Sequence, residues 1–358
     1  MATALLPYGA AYAGATQELL DEAKKAEGDA YLPTVFNPAT VTQRGVRTLA
    51  KGRVPASKDG KEGFGCYHEV HGSGPIKVVF VMGLNNSCFG WLPQVEHLSK
   101  DPRYSCLVID NRGVGNSDTP AGLYKTSEMA LDVIELLEQL GWAKPRSIHL
   151  VGVSMGGMIS LEFARTRPDL LASVSLISTT PGKRYGTPSY GLRSLVRVLG
   201  GRVVGFDSES YRLNRLIETL FPIPWLEEKS KYDQNKTNRQ ILFKMFAWRF
   251  QFTRRQTLHG AVAQMKAAVT HNVPDSALQR INTAVPKIVI LTGDTDYLVD
   301  PRNSQYLADK MPNAELIKFQ VAGHALGNQF DERVNTILER VIGEGREAVE
   351  REGVKSNL

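Results

Sequence analysis

Short apolar runs recur along the chain and predict buried strands. They are rich in valine, isoleucine and leucine and seldom alternate with polar residues, which is typical of strands covered on both faces. The runs are Ile76–Gly83, Tyr104–Asp110, Ser147–Val153, Ala172–Ser178, Lys287–Gly293 and Glu315–Val321, with an earlier candidate at Phe64–His71. Helical patterns such as Thr126–Leu140 lie between them. This alternation predicts an α/β fold with a mainly parallel, doubly wound sheet.

The alternation stops after Ser178 and resumes at Lys287. The intervening residues 181–285 contain helical stretches separated by breakers such as Pro222 and Pro224. A segment of this size inserted into a parallel sheet predicts a helical lid domain. The predicted organisation is an N-terminal extension at 1–45, an α/β core at 46–180 and 286–345, the lid at 181–285 and a C-terminal tail at 346–358.

The composition is that of a globular protein, because 42% of the 358 residues are apolar and 22% are charged. No run reaches the ~18 apolar residues that a membrane span needs. Three cysteines in a long chain imply no disulfide framework and favour a reducing compartment. The apolar N-terminus has no basic residue before Lys24, which argues against a secretory signal. We expect a cytoplasmic protein, with peroxisomal import through the tail Ser356-Asn357-Leu358 as the alternative.

The net charge of +6 is concentrated in one part of the chain. Residues 183–255 contain 15 Lys and Arg against 6 Asp and Glu, so the rest of the chain is slightly acidic. A basic region confined to the insertion argues against general nucleic-acid binding. A solvated face is the simplest explanation, and attraction of an anionic substrate or an anionic membrane surface is the alternative.

The strongest chemical motif is Gly152-Val153-Ser154-Met155-Gly156-Gly157, which follows a predicted strand and precedes a helical pattern. A G-x-S-x-G sequence in this context predicts a nucleophile elbow, a turn so tight that there is no room for a Cβ at its two glycine positions. The serine is held at the tip of the turn with its hydroxyl exposed above a helix N-terminus. Ser154 is therefore the predicted nucleophile.

A serine hydroxyl needs a histidine to accept its proton and a carboxylate to orient that histidine, and here the expected chain order is Ser, acid, His. The strand Lys287–Gly293 is followed by Asp294, Asp296 and Asp300, and the next strand by His324 in a glycine-bounded loop. Both loops leave the carboxyl ends of strands, where α/β sheets build their sites. His324 is the predicted base. Asp300 precedes a proline and is better explained as a helix cap, which leaves two candidates for the acid.

The oxyanion that forms on an attacked carbonyl needs backbone N–H donors. We expect one from Met155, which follows the nucleophile, and another from Leu84, in the loop after the strand Ile76–Gly83. Asn85 and Asn86 in the same loop are candidates to donate to the substrate carbonyl. Turn formation explains these two asparagines at least equally well.

The insertion is rich in aromatic residues, and these predict a hydrophobic substrate pocket in which Trp225 and Trp248 are candidate lining residues. Packing of the lid's own small core is the simpler explanation for most of them. The His and Cys residues show no metal-ligand spacing, and no glycine-rich phosphate motif is present, so we expect neither a metal nor a cofactor. The three cysteines are predicted to be buried packing residues.

Together these motifs resemble the α/β-hydrolase superfamily over most of 63–345. The matching pieces occur in the expected order, as VVFVMGLNN, DNRGVGNS, GVSMGG, GDTD and AGHA. The resemblance implies a triad of Ser154, Asp296 and His324, with Asp296 rather than Asp294 at the family's acid position. Many members have His-Gly where this chain has Met82-Gly83. A Met-Gly variant followed by Asn, Ser and Gly-Trp is similar to certain polyketide methylesterases, and overall the chain resembles little-characterised fungal members.

The resemblance implies a cofactor-independent serine hydrolase that cleaves a carboxylic ester or lactone through an acyl-enzyme on Ser154. The expected partner is a small hydrophobic substrate, with no nucleic acid and no integral membrane segment, and the oligomeric state is left open. A C–C bond hydrolase or a perhydrolase uses the same triad and is the alternative, as is a ligand receptor that hardly turns over. Serine at position 154 argues against epoxide hydrolases and haloalkane dehalogenases, which have an aspartate there.

Overall fold

A central sheet organises the residues that the computed structural model describes, which are 16–56, 60–182, 185 and 208–356. The strands are β1 (Val41–Leu49), β2 (Phe64–His71), β3 (Ile76–Val81), β4 (Tyr104–Ile109), β5 (Ile148–Val153), β6 (Leu171–Ile177), β7 (Lys229–Ser230), β8 (Asp233–Thr237), β9 (Lys287–Gly293) and β10 (Glu315–Phe319). Eight of them form one sheet in the order β1-β2-β4-β3-β5-β6-β9-β10, and β7 and β8 form a separate hairpin. Within the eight-stranded sheet, every pair in the order β4-β3-β5-β6-β9-β10 is parallel, and the antiparallel pairs are those of β2 with β1 and β4. The mainly parallel sheet is thus confirmed.

The middle strands are buried on both faces, which explains why their sequences do not alternate between apolar and polar residues. In β3, Val79 and Val81 belong to one apolar cluster, whereas Val78 and Phe80 belong to another on the opposite face. A fully buried side chain of this size contributes about 1.5–3 kcal/mol to folding. These two clusters therefore fix the positions of the strand ends from which the candidate site is built.

Helices cover both faces of the sheet. Within the described ranges they are Gln17–Glu27, Leu92–Leu98, Thr126–Gln139, Met155–Thr166, Glu209–Leu220, Ile223–Glu227, Asn238–Arg249, Leu258–Thr270, Asp275–Ala284, Arg302–Lys310, Leu326–Gln329 and Asp331–Ser356. No helix in this part of the chain is both long enough and apolar enough to cross a bilayer.

The segment predicted as a lid divides into two parts. Residues 208–252, which we call the inserted segment, have an apolar cluster of their own that includes Ile217, Phe221 and Phe246. The helices Leu258–Thr270 and Asp275–Ala284 instead contribute to a cluster of the central sheet. These helices thus bury their apolar faces against the core and not against the inserted segment, and the lid bounds of 181–285 stay a prediction. Residues 186–207, including a predicted helical stretch at 192–199, lie outside the described residues.

Both predicted terminal boundaries also fall inside regular structure. The boundary at 45 lies within β1, and residues just before it are anchored to the core, since Phe36 is fully buried and the Asn37 N–H donates to Glu96 Oε1 at 2.7 Å. The boundary at 345 lies within the helix Asp331–Ser356. Of the predicted targeting tail, 357 and 358 lie outside the described residues.

Candidate active site

The turn between β5 and the helix Met155–Thr166 has the geometry of a nucleophile elbow. Ser154 occupies it with φ 57° and ψ −123°, a conformation that costs free energy for a residue with a side chain. A Cβ on Gly152 would lie 2.4 Å from the carbonyl oxygen of Gly156, and one on Gly156 would lie 2.0 Å from that of Val81. The two motif glycines are thus required by close backbone contacts, as the sequence predicted.

Neighbouring groups hold this strained turn in place. The Ser154 N–H donates to the Ile177 carbonyl at 2.9 Å, and the Thr179 hydroxyl donates to the Ser154 carbonyl at 2.7 Å. Gly83 packs so closely that a Cβ there would lie 3.0 Å from the Ser154 Cβ and 3.5 Å from its Oγ. The loop after β3 (residues 82–91, the β3 loop) therefore passes directly beside the serine hydroxyl.

The loops after β9 and β10 bring an aspartate and a histidine together. His324 Nδ1 lies 2.7 Å from Asp296 Oδ2, and both side chains are buried. The other carboxylate oxygen of Asp296 accepts the N–H groups of Leu298 and Val299 at 2.8 and 2.9 Å. This leaves Oδ2 directed at the imidazole, so the His324 ring is oriented through Nδ1.

The other two aspartates of this turn have different partners. Asp294 Oδ1 accepts the N–H of Ala322 at 3.1 Å, which joins the β9 and β10 loops. Asp300 Oδ1 accepts the N–H of Arg302 at 2.9 Å, at the start of the helix Arg302–Lys310. Of the three candidates, the structure brings only Asp296 to His324. No hydrogen bond among the described residues joins Ser154 Oγ to the His324 ring, although in enzymes without substrate such contacts are often long.

The loop that carries His324 (residues 320–325, the histidine loop) is held from two sides. The His324 N–H donates to the Leu220 carbonyl of the inserted segment at 2.8 Å. Gln329 is buried and clamps the loop with both ends of its amide, accepting the Gly323 N–H at 2.9 Å and donating to the Val321 carbonyl at 2.8 Å. Nothing in the sequence marked this isolated glutamine.

Two backbone amides beside Ser154 have no acceptor among the described residues. They belong to Leu84 and Met155, the two predicted oxyanion donors. The next amide along, that of Asn85, is occupied, since it donates to Gln264 Oε1 at 2.9 Å. The arrangement can present two N–H groups to an oxygen that develops negative charge.

The side chains predicted to bind substrate are all engaged by the protein. Asn85 Oδ1 accepts from Gln256 at 3.0 Å. The Asn86 amide lies 3.6 Å from the Met82 sulfur, and its oxygen accepts from Arg249 at 3.5 Å. Both asparagine side chains are therefore bonded within the protein, and their predicted role in substrate binding stays a prediction.

The two tryptophans are packed against other aromatic rings. Trp225 stacks on Phe221 with ring centroids 5.5 Å apart, and Trp248 is buried with its ring 5.1 Å from that of Phe252. Trp225 borders the inserted segment's own cluster, whereas Trp248 belongs to a cluster of the central sheet.

The turn after β4 supports the β3 loop through the side chain of Asp110. Asp110 accepts the N–H groups of Cys88 and Asn116, each at 2.7 Å, and burial raises its pKa to about 6. Arg112 pairs with Asp132 through two contacts of 2.6 and 2.7 Å.

Cys66, Cys88 and Cys106 are buried with free thiols whose pKa values are raised by burial. No cluster of metal-ligating side chains occurs among the residues with described positions.

Comparisons with known proteins agree with this architecture. A family described as "alpha/beta hydrolase fold" matches residues 77–327. A protein of Stutzerimonas stutzeri, provisionally named carbamate hydrolase RutD, is 29% identical over 279 residues, which are 76% of this chain and 94% of the relative. A protein of the same name from Pseudomonas savastanoi is 28% identical over 266 residues, covering 72% of this chain and 92% of the relative.

Solved structures give the same result at lower identity. A thermophilic esterase from Thermogutta terrifontis superposes with a TM-score of 0.64 at 21% identity, over 85% of this chain and 99% of that chain. An esterase from Exiguobacterium antarcticum gives a TM-score of 0.63 at 20% identity, over 78% and 96% of the two chains. At these identities the likeness establishes the shared fold alone. Because the family match covers more than half of its residues, the chain belongs to the α/β-hydrolase fold family.

Proposed function

We propose that this hydrolase cleaves carboxylic esters or lactones, with Ser154 as nucleophile, His324 as general base and Asp296 as the residue that orients His324. The observation that carries the proposal is the 2.7 Å contact between Asp296 and His324 at the carboxyl edge of the sheet that also presents Ser154. Sharing an edge is not by itself a catalytic arrangement. The strained elbow and the two amides without acceptors beside it add independent support.

In the proposed reaction His324 Nε2 takes the proton of Ser154 Oγ as the oxygen attacks the substrate carbonyl. The carbonyl oxygen gains negative charge, which the amides of Leu84 and Met155 stabilise. His324 then gives its proton to the leaving alcohol, and an acyl-enzyme remains on Ser154. Water repeats the sequence in the second half, releasing the carboxylic acid and restoring the serine.

Asp296 stabilises the positively charged imidazolium that forms on His324 in each half-reaction. Its Oδ2 accepts the proton on Nδ1, which fixes the tautomer and leaves Nε2 as the basic nitrogen. The backbone donors of Leu298 and Val299 keep the carboxylate in place while charge develops on the ring.

We further propose that the inserted segment is the lid of this site. Its helix Glu209–Leu220 ends at the histidine loop, and Arg249 of its helix Asn238–Arg249 reaches the β3 loop at Asn86.

Carbamate cleavage is a second candidate, favoured by the name of the relatives that align with most of this chain. A carbamate carbonyl is attacked by the same serine and generates the same oxyanion. A C–C bond hydrolase or a perhydrolase would keep the same residues, as would a low-turnover receptor, which the experiment below separates from an ester, lactone or carbamate hydrolase.

The test is labelling with a fluorophosphonate probe, followed by turnover of a panel of aryl esters, lactones and matched carbamates. We expect the probe to label Ser154, and we expect Ser154→Ala and His324→Ala to lower kcat by at least about 10⁴-fold without unfolding the protein. Ser99→Ala, at the end of the helix Leu92–Leu98, is the control and should be labelled normally.

Equal labelling of the wild type and Ser154→Ala would refute the proposed nucleophile. Labelling of Ser154 without turnover of any ester, lactone or carbamate would favour the receptor instead. A kcat/KM larger for the carbamate than for the matched ester would assign the second candidate.

A further inference from the structure

We propose that Gln264 is a positioning residue that sets the orientation of the Leu84 N–H in the oxyanion hole; this inference rests on the proposed acyl transfer. Gln264 lies on the helix Leu258–Thr270, far in sequence from the catalytic motifs, and its side chain is fully buried. It does not touch the reacting atoms and acts through the backbone of the β3 loop.

Both ends of the Gln264 amide are bonded to backbone groups of two different loops. Oε1 accepts the N–H of Asn85 at 2.9 Å, and Nε2 donates to the carbonyl of Arg112 at 2.8 Å. A backbone N–H requires an acceptor and a backbone carbonyl requires a donor. A neutral carboxamide supplies both, whereas a carboxylate lacks the donor and an alkyl side chain lacks both.

The bond to Asn85 fixes the peptide that follows Leu84. Asn85 adopts φ 55°, in the left-handed region that asparagine tolerates better than most residues with a side chain. On the other side of Leu84, Gly83 is packed against Ser154. The Leu84 amide is therefore held between one fixed peptide at the nucleophile and another at Gln264.

Two further contacts make the support of the β3 loop stiff. Gln256 repeats the same link, because its amide nitrogen donates to Asn85 Oδ1 at 3.0 Å and to the Gly113 carbonyl at 2.9 Å. The loop that carries these carbonyls is itself anchored by the buried Arg112–Asp132 pair. Arg112 and Gln264 thus connect the loop of the proposed oxyanion donor to the core, and this connection sets the donor's position.

The central test is Gln264→Leu, assayed with a p-nitrophenyl ester and with a phenylboronic acid, which forms a tetrahedral adduct on serine. We expect kcat/KM to fall about 10- to 100-fold, mainly through kcat, because a misplaced oxyanion donor weakens transition-state binding. The inhibition constant of the boronic acid should rise by a similar factor. Asn282→Leu is the matched control, since it removes a buried acceptor from the Asn313 N–H (2.8 Å) and leaves the β3 loop untouched.

The variant Gln264→Glu supplies a second readout. In its neutral form the introduced carboxyl has an acceptor and an O–H donor, as the amide does, whereas its ionised form repels the Arg112 carbonyl. We expect kcat near that of the wild type at low pH, relative to the wild type at the same pH, and a loss as the carboxyl ionises. Burial should move this loss above the ordinary glutamate pKa of about 4.3.

Hydrogen exchange at the Asn85 amide tests the contact independently of any activity. The amide should exchange at least about 10-fold faster in Gln264→Leu than in the wild type. The inference is overturned if kcat/KM and boronic acid affinity stay within about twofold of wild type in the folded variant, or if Asn282→Leu loses as much activity. A wild type in which Ser154 is not labelled would contradict the proposed function, whereas unchanged Asn85 exchange would contradict this inference alone.

Discussion

Asp294 and Asp296 lie two positions apart in the loop after β9 and have different hydrogen-bond partners. Asp296 orients His324 from a carboxylate held by two backbone donors, whereas Asp294 accepts a single N–H, that of Ala322. An asparagine at 294 keeps an oxygen acceptor for that N–H. An asparagine at 296 removes the charge that stabilises the imidazolium and, when its amide nitrogen faces the ring, favours the wrong tautomer.

We therefore expect Asp296→Asn to lower kcat by about 10³- to 10⁴-fold and Asp294→Asn by less than about 10-fold. The measurement is kcat for the substrate found in the ester, lactone and carbamate panel, together with the rate of fluorophosphonate labelling. A larger loss in Asp294→Asn would reassign the acid to that residue.

The sequence predicted the catalytic candidates because their chemistry is tied to local features. Ser154 lies in a motif whose glycines are required because a Cβ there would lie 2.0 to 2.4 Å from a backbone oxygen. His324 and Asp296 follow strands that are recognisable as apolar runs. Gln264 and Gln329 could not be predicted, because a lone glutamine in a helix has no periodicity or spacing that signals a bond to a distant loop. Their roles arise only when the chain has folded.

At the scale of elements, the helix Leu258–Thr270 lies backbone to backbone against the turn after β4. A Cβ on Gly260 would lie 2.4 Å from the Gly113 carbonyl oxygen, a distance that no rotamer change relieves. By contrast, Gly343 lies in the helix Asp331–Ser356, where a Cβ meets nothing within 4 Å. The two glycines form a matched pair for testing this contact.

We expect Gly260→Ala to lower the free energy of unfolding by about 1–3 kcal/mol, because the helix must move away from Gly113. Since the same helix carries Gln264, kcat should fall as well. Gly343→Ala should leave kcat unchanged and raise the free energy of unfolding by up to about 1 kcal/mol. Urea titration and ester turnover measure both effects, and equal stabilities of the two variants would show that the close packing is absent.

Element prediction succeeded where a strand is buried on both faces and failed where tertiary contacts decide. β1 has the sequence VTQRGVRTL, which is too polar to predict a strand, yet it pairs along its length with β2. The helix Asp275–Ala284 falls within the range predicted for the lid, and its residues Leu278 and Ile281 are buried in a cluster of the central sheet. Sequence distance from a strand does not show against which layer a helix packs.

At the scale of the whole molecule, several buried histidines make the free energy of unfolding depend on pH. Burial lowers the pKa of His68, His149 and His271 from 6.5 to about 4. Between pH 6.5 and 4 these histidines therefore bind protons in the unfolded protein but not in the folded protein. The free energy of unfolding is thus highest above pH 6.5 and decreases as the pH falls toward 4. Asp110, with a pKa raised to about 6, acts in the opposite direction over part of this range.

His149 allows one contribution to be isolated, because its ring is buried within the sheet beside Ser173 at 2.8 Å. We expect His149→Gln to remove up to about 3 kcal/mol of the stability difference between pH 6.5 and 4, so that its unfolding free energy varies less with pH than that of the wild type. Urea titrations at the two pH values measure this.

The carbonyl of Leu220 accepts the N–H of His324, so the helix Glu209–Leu220 of the inserted segment ends directly on the loop that carries the proposed base. Chimeras that exchange this segment for that of a relative would alter the placement of the imidazole together with the shape of the pocket. A graft intended to change substrate range therefore has to retain the junction from Leu220 to Pro222, which abuts Gly323, or transplant both partners together.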